Sequence, residues 1–113
     1  MIYMILNFSP EFLHKILEGS KRVTLRKGIR KIRVGPCTLK IGEVELRAHI
    51  ESVHFLKFSD VREEHAFSEG LQSLEELRKL LRKFYPEIKE EDWFTAIYFK
   101  LEKEVKDGNS EAV

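Results

Sequence analysis

The stretch from Val44 to Phe58 constrains the fold more than any other part of the sequence. Val44, Leu46, Ala48 and Ile50 alternate with Glu45, Arg47, His49 and Glu51, the period of a half-buried strand. Beyond Ile50 the apolar parity moves to Val53 and Phe55. A slip of one residue turns every later side chain to the other face of a strand. A strand that changes its buried face without a break therefore needs a bulge or a bend, the device by which a sheet curls toward a barrel.

The rest of the chain supplies partners for such a sheet. Residues 2–8 (IYMILNF) read as a buried strand. Ser9-Pro10-Glu11 starts a helix, with Ser as N-cap, Pro at the first helical position and an acid in the first turn. Phe12, Leu13, Ile16 and Leu17 form its apolar stripe, and Gly19 ends it. Residues 22–26 form a short strand. If Val23 and Leu25 enter a core, Arg22, Thr24 and Arg26 share the opposite face, with Lys21 at the hinge before them. Residues 27–36 read as a basic loop closed by Gly35-Pro36, and residues 38–41 pair with 44–58 across a turn at Gly42. Asp60 with Glu63 starts a second helix that ends at Gly70. Ser73-Leu74-Glu75-Glu76 is a capping box for a third, whose stripe is Leu74, Leu77, Leu80, Leu81 and Phe84 and which Tyr85-Pro86 stops. Residues 94–101 (FTAIYFKL) make a final buried strand. About five strands and three helices predict an α+β fold: a small, curled β-barrel-like sheet with flanking helices.

At 113 residues there is room for one domain, expected over 1–103, with a polar and disordered tail over 104–113. Hydrophobic residues at 42% suffice for a core, which excludes a disordered protein. Charged residues at 35%, with only two Asn and one Gln, fit a heat-adapted protein. The single Cys37 excludes an internal disulfide, fits a reducing cytoplasm and reads as a small buried filler. Met1 to Phe8 is too short to span a membrane and lacks the marks of a signal peptide, so no membrane association is expected.

The net charge of +1 hides a segregation. Residues 1–50 carry +6 and residues 51–113 carry −5. Seven cations fall between Lys21 and Arg33 with no acid among them: Lys21, Arg22, Arg26, Lys27, Arg30, Lys31 and Arg33. A run of like charge repels itself unless something anionic lies opposite. The chain's own carboxylates are one such partner, and nucleic-acid phosphate is the leading functional one.

His14, His49, His54 and His65 show no recognised ligand spacing, so no metal is expected. No phosphate loop or dinucleotide turn is present, and no cofactor is expected. One cluster remains: Lys21, Thr24, Arg26 and Glu69. Three segments carry a resemblance, in order: ILEGSKRVTLR (16–26), HAFSEGLQSLEELRKLLRKFYP (65–86) and AIYFKL (96–101). With these the chain resembles the ASCH domain, a family of small proteins related to the PUA RNA-binding domain. The resemblance implies a small PUA-like β-barrel with flanking helices, and a cleft for RNA or a nucleotide beside the first helix and the strand after it. Some bacterial members remove the acetyl group of N4-acetylcytidine. Their catalytic Lys, Thr and Glu fall on Lys21, Thr24 and Glu69. The sequence departs from the family where a Gly-Asp often precedes the next strand, since Val34-Gly35-Pro36-Cys37 stands there.

The chemistry is coherent on its own terms. A Thr hydroxyl is a poor nucleophile until a base takes its proton. A lysine that is partly desolvated and near other cations has a lowered pKa and suits that role, whereas a carboxylate beside Lys21 keeps it protonated. Glu69 would assist the leaving amine or position the cytosine amide, and Arg26 suits a phosphate or a carbonyl oxygen through its planar fork. The bland alternative is a structural Lys21–Glu69 ion pair and an ordinary strand Thr24. Trp93, Phe67, Tyr98 and Tyr3 are candidate surfaces for base stacking, while Phe55, Phe58, Phe84 and Phe99 are assigned to packing. The first reading is therefore a module that binds RNA or a nucleotide in a cationic cleft, with Arg22, Arg26, Lys27, Arg30, Lys31, Arg33 and Trp93 as contacts. The second is an N4-acetylcytidine amidohydrolase. A protein adaptor using the acidic helix 73–84 is the third.

Overall fold

The computed structural model describes residues 4–102. Five strands make one sheet: β1 (Met4–Phe8), β2 (Val23–Lys27), β3 (Gly35–Ile41), β4 (Val44–Lys57) and β5 (Trp93–Leu101). Their order is β1-β3-β4-β5-β2, with β1 and β3 parallel and the other neighbours antiparallel. The helices are α1 (Leu13–Glu18), α2 (Glu63–Ser68) and α3 (Leu74–Phe84). The expected α+β fold is present as a curled half-barrel flanked by helices.

The bulge lies where the sequence parity changes. Ile50 pairs with Phe99 and Ser52 with the adjacent Tyr98, so Glu51 is the extra residue on β4. Ala48 and Ile50 then join one core cluster with Leu6, Phe8, Ile16, Leu39, Ile41, Ile97 and Phe99. A second cluster on the other face holds Val23, Leu25, Phe94 and Ala96 against Phe58, Val61, Ala66 of α2, and Leu77 and Leu81 of α3. Cys37 is buried in the first cluster, as its reading as a filler expects.

Several local expectations are corrected. Phe55 is 50% exposed rather than packed. Val53 packs against the first cluster and Leu56 against the second. Opposite Phe55 stands Thr95, whose hydroxyl donates to the Gly28 carbonyl at 2.6 Å and accepts from the Arg30 N–H at 2.9 Å. The loop backbone thus takes the place on that face next to Phe55. Leu17 is 53% exposed, because α1 is only six residues long and Ile16 alone is buried. Asp60 does not start α2. It ends a short 3-10 turn, after which the extended, buried Val61 leads to Arg62, the residue before the helix. Pro10–Phe12 likewise form a 3-10 turn, so Ser9 caps that turn through its carbonyl rather than its side chain. Gly35-Pro36 open β3 instead of closing a loop. Ser73 does cap α3, accepting from the Glu76 N–H at 3.2 Å, while the Glu76 carboxylate accepts from the Gln72 N–H at 2.7 Å. The segment 104–113 and Tyr3 lie outside the described residues.

Candidate functional site

The site begins at the exit of α1. Gly19 adopts φ +89°, a conformation that favours glycine, and the N–H groups of Ser20 and Lys21 both donate to the Lys15 carbonyl at 3.0 and 3.1 Å. This tight wrap turns Lys21 inward, where its side chain is 3% exposed. Its ammonium donates to the Val23 carbonyl at 3.1 Å and to the Glu69 carboxylate. The Phe12 and Phe8 ring centres lie 4.8 and 5.7 Å from Nζ.

Glu69 is the residue that ends α2, and its own N–H donates back to His65 and Ala66. Two links hold this end of α2 against the α1–β2 connection. The Arg22 N–H donates to the Ser68 carbonyl at 2.6 Å, and Lys15 Nζ donates to the Gly70 carbonyl at 2.9 Å. The acid therefore reaches Lys21 across a gap of 48 residues in sequence through backbone contacts that fix its origin.

Thr24 comes from β2. It pairs with Ile97 and Arg26 pairs with Thr95, which puts both on the sheet face of the first cluster. The Thr24 hydroxyl oxygen accepts from Arg26 Nε at 2.8 Å. The Arg26 guanidinium lies 5.1 Å from the Phe8 ring centre, and Nη2 donates to the Asn7 carbonyl of β1 at 2.8 Å.

Lys21, Thr24, Arg26 and Glu69 line one cleft of about 180 Å³. Leu80, Leu81, Phe84 and Tyr85 at the end of α3 form an apolar wall, and Phe8 and Phe12 another part of the lining. Burial pushes the Lys21 ammonium below its ordinary value of 10.5; the Glu69 carboxylate pulls it up, Arg26 and Lys15 push it down, and desolvation prevails.

The remaining expected ligand contacts lie elsewhere. Arg22 does not share a face with Thr24 and Arg26, because β2 begins at Val23 and the Arg22 guanidinium turns to Ser68, donating to its hydroxyl at 3.3 Å. Lys27 lies 3.9 Å from the Asp92 carboxylate, and Arg30 Nε donates to the Lys27 carbonyl at 3.1 Å. Lys31 and Arg33 are exposed in the segment 28–34. Trp93 is 44% exposed, with Lys57 Nζ 5.4 Å from its ring centre. None of these lines the cleft. Sequence reasoning missed Phe12, Phe84 and Tyr85 as lining residues, having given the two phenylalanines to apolar stripes. Their signal was two aromatics next to Pro86 at the stop of an amphipathic helix, a place where a stripe runs out of core. Among the described residues, no three His, Cys, Asp or Glu side chains gather as a metal site, and no helix is long and apolar enough to cross a membrane.

Comparison with known proteins adds an independent line. The profile of the ASCH domain matches residues 4–107. The N(4)-acetylcytidine amidohydrolase of Moritella marina is 31% identical over 90 residues, covering 75% of this chain and 83% of that protein. An ASCH domain from Lactobacillus crispatus superposes with a TM-score of 0.68 at 24% identity, over 78% of this chain and 68% of its own. A protein from Enterococcus faecalis does so with a TM-score of 0.75 at 12% identity, over 99% of this chain and 83% of its own. With the bulged half-barrel and a match along nearly the whole chain, this protein belongs to the ASCH domain family.

Proposed function

We propose that this protein is an amidohydrolase that removes the acetyl group of N4-acetylcytidine. The observation that carries the reading is the contact of the Lys21 ammonium with the Glu69 carboxylate inside a cleft that Thr24 also lines. Both charged side chains are almost fully buried. A relative at 31% identity is named for this reaction. The geometry favours hydrolysis over the holding of an RNA strand in the cleft. A cleft of about 180 Å³ is small beside the ~300–1,000 Å³ of pockets that enclose drug-sized ligands. It suits one base with its acyl group. The loop cations, which a strand would need, stand outside it.

In the proposed reaction the neutral Lys21 amine takes the Thr24 hydroxyl proton as Oγ attacks the acetyl carbonyl carbon. The carbonyl electron pair moves onto oxygen, and Arg26 stands beside that oxyanion. Arg26 Nε already donates to the Thr24 oxygen, which favours its ionised form and leaves the hydroxyl proton free to point away. As the C–N bond breaks, the Lys21 ammonium returns the proton to the departing N4 amine. Glu69 balances the lysine's charge in the interval. Water then attacks the acetyl-Thr24 ester with Lys21 again as base, releasing acetate and restoring the hydroxyl. Mass spectrometry of N4-acetylcytidine incubated with the protein tests this. Cytidine and acetate are expected from the wild type, and a loss of at least about a hundredfold from Lys21→Ala. No cytidine from the wild type removes the proposal.

A further inference from the structure

Phe84 and Phe12 meet at the cleft with ring centres 6.1 Å apart and planes tilted by 40°. They come from opposite parts of the fold: Phe84 is the last residue of α3, and Phe12 closes the 3-10 turn that leads into α1. Phe12 is also engaged by the Lys21 ammonium, 4.8 Å from its ring centre. Among the described residues Phe84 meets no ring other than Phe12, and it is 45% exposed although it belongs to the apolar stripe of α3. The helix stops there because Tyr85 leaves the helical conformation before Pro86. The exposed part of the Phe84 ring is thus a rigidly backed apolar surface, set in the lining of the same cleft as the reactive amine and hydroxyl.

We infer that Phe84, backed by Phe12, is the stacking platform for the planar ring of the substrate, and that it makes the cleft selective for N-acylated aromatic amines over N-acylated aliphatic ones. The inference rests on the amidohydrolase reading for the position of the acyl group at Thr24. Three features support it. A flat ring gains dispersion and quadrupole contacts on another ring that an aliphatic chain does not. Phe12 and the helix end fix the platform, so little side-chain freedom is lost on binding. The polar groups lie deeper, around Lys21 and Glu69, both almost fully buried, so an acyl group that reaches them leaves the amine's ring at the half-exposed Phe84.

Calorimetric titration of N4-acetylcytidine into the Lys21→Ala protein, alone and with Phe84→Ala, Phe84→Leu or Phe84→Tyr, reads binding without turnover. Steady-state kinetics in the Lys21 background reads the reaction. Loss of the ring is expected to weaken binding and to raise KM about tenfold or more, with kcat little changed. Tyr is expected to restore both, Leu only in part, and the penalty to vanish for an N-acetylated aliphatic amine. Unchanged affinity in Phe84→Ala, full rescue by Leu, or an equal loss on the aliphatic amide overturns the inference. The hydrolytic reading fails separately: binding that depends on Phe84 with no turnover by the wild type sinks the hydrolase and keeps the platform, and neither binding nor turnover by the wild type sinks both.

Discussion

Lys21 is the residue on which the site's chemistry turns. A buried lysine beside a carboxylate is subject to two opposed effects, and here desolvation outweighs attraction, so its pKa is lowered. The sign of the consequence is definite. Folded Lys21 gives up its proton at lower pH than unfolded Lys21. Between that lowered value and 10.5 the unfolded chain holds more protons, and stability rises with pH across the window. On the proposed mechanism the same deprotonation arms the base, so kcat/KM on N4-acetylcytidine is expected to climb on a single-proton limb centred below 10.5. Lys21→Arg, which cannot lose its proton, is expected to show no limb and no activity. A limb that persists in Lys21→Arg assigns the base elsewhere. Stability separates this role from a merely structural pair. Lys21→Met leaves Glu69 buried and unpaired and is expected to cost about 3–5 kcal/mol in urea unfolding. Replacing both, as Lys21→Met with Glu69→Leu, is expected to restore stability to the wild-type level or above while turnover stays lost. A double variant as unstable as the single one would mean that the pair is there to hold the fold.

At the scale of elements, the site is an agreement between two chain ends that have no sequence relation: the exit of α1 and the exit of α2. Gly70 shows how closely they fit. Its φ is +80°, and a Cβ there would stand 3.2 Å from the Ser20 carbonyl oxygen and 3.2 Å from the Lys15 side chain. Gly19 has a similar φ but open space around it. Gly19→Ala is therefore expected to cost about 1 kcal/mol, from backbone strain alone. Gly70→Ala is expected to cost about 2 kcal/mol or more and to cut turnover as well, since the contact would push α2's end, and Glu69 with it, away from Lys21. Equal losses of stability in the two variants, by urea unfolding, would refute this coupling. The bulge at Glu51 was legible because burial has a period of two, and a change of parity can mean little else. The capping of α3 was legible because it depends on residues three apart. Asp60 was misread because an acid a few residues ahead of a helix has the look of a cap, whereas here it closes a 3-10 turn and Arg62 is the residue before α2. Thr24 and Arg26 stood out by strand alternation and Lys21 by its place at the hinge before them, but nothing local tied Glu69 to them; only the family resemblance did. Phe84 was misread because a helix stripe does not say where the core under it ends.

At the scale of the whole molecule, hydrogen-bond order puts β1 and β2 at opposite edges of the sheet. The curl nevertheless brings them together, and Arg26 on one edge donates to the Asn7 carbonyl on the other. The cleft lies along this unzipped seam, which explains why it draws residues from both edges and from the ends of α2 and α3. The charge run is divided by the same geometry. Lys21 and Arg26 turn into the seam, while Lys27, Arg30, Lys31 and Arg33 remain outside it. Two surfaces are thereby separated: the cleft, which on the proposed function takes one small ring, and the cations of residues 27–33, whose natural complement is phosphate. They respond differently to salt. KM for the uncharged N4-acetylcytidine is expected to stay flat as salt rises. Retention of mixed-sequence RNA on filters is expected to fall steeply, and Lys31→Ser with Arg33→Ser to reduce the slope by about one for each cation removed. RNA that is not retained even at low salt would remove this role from the loop cations and leave only the proposed function of the seam. RNA whose retention ignores Lys31 and Arg33, and falls instead with Arg26→Ala, would move phosphate recognition into the seam and reverse this division of the cations.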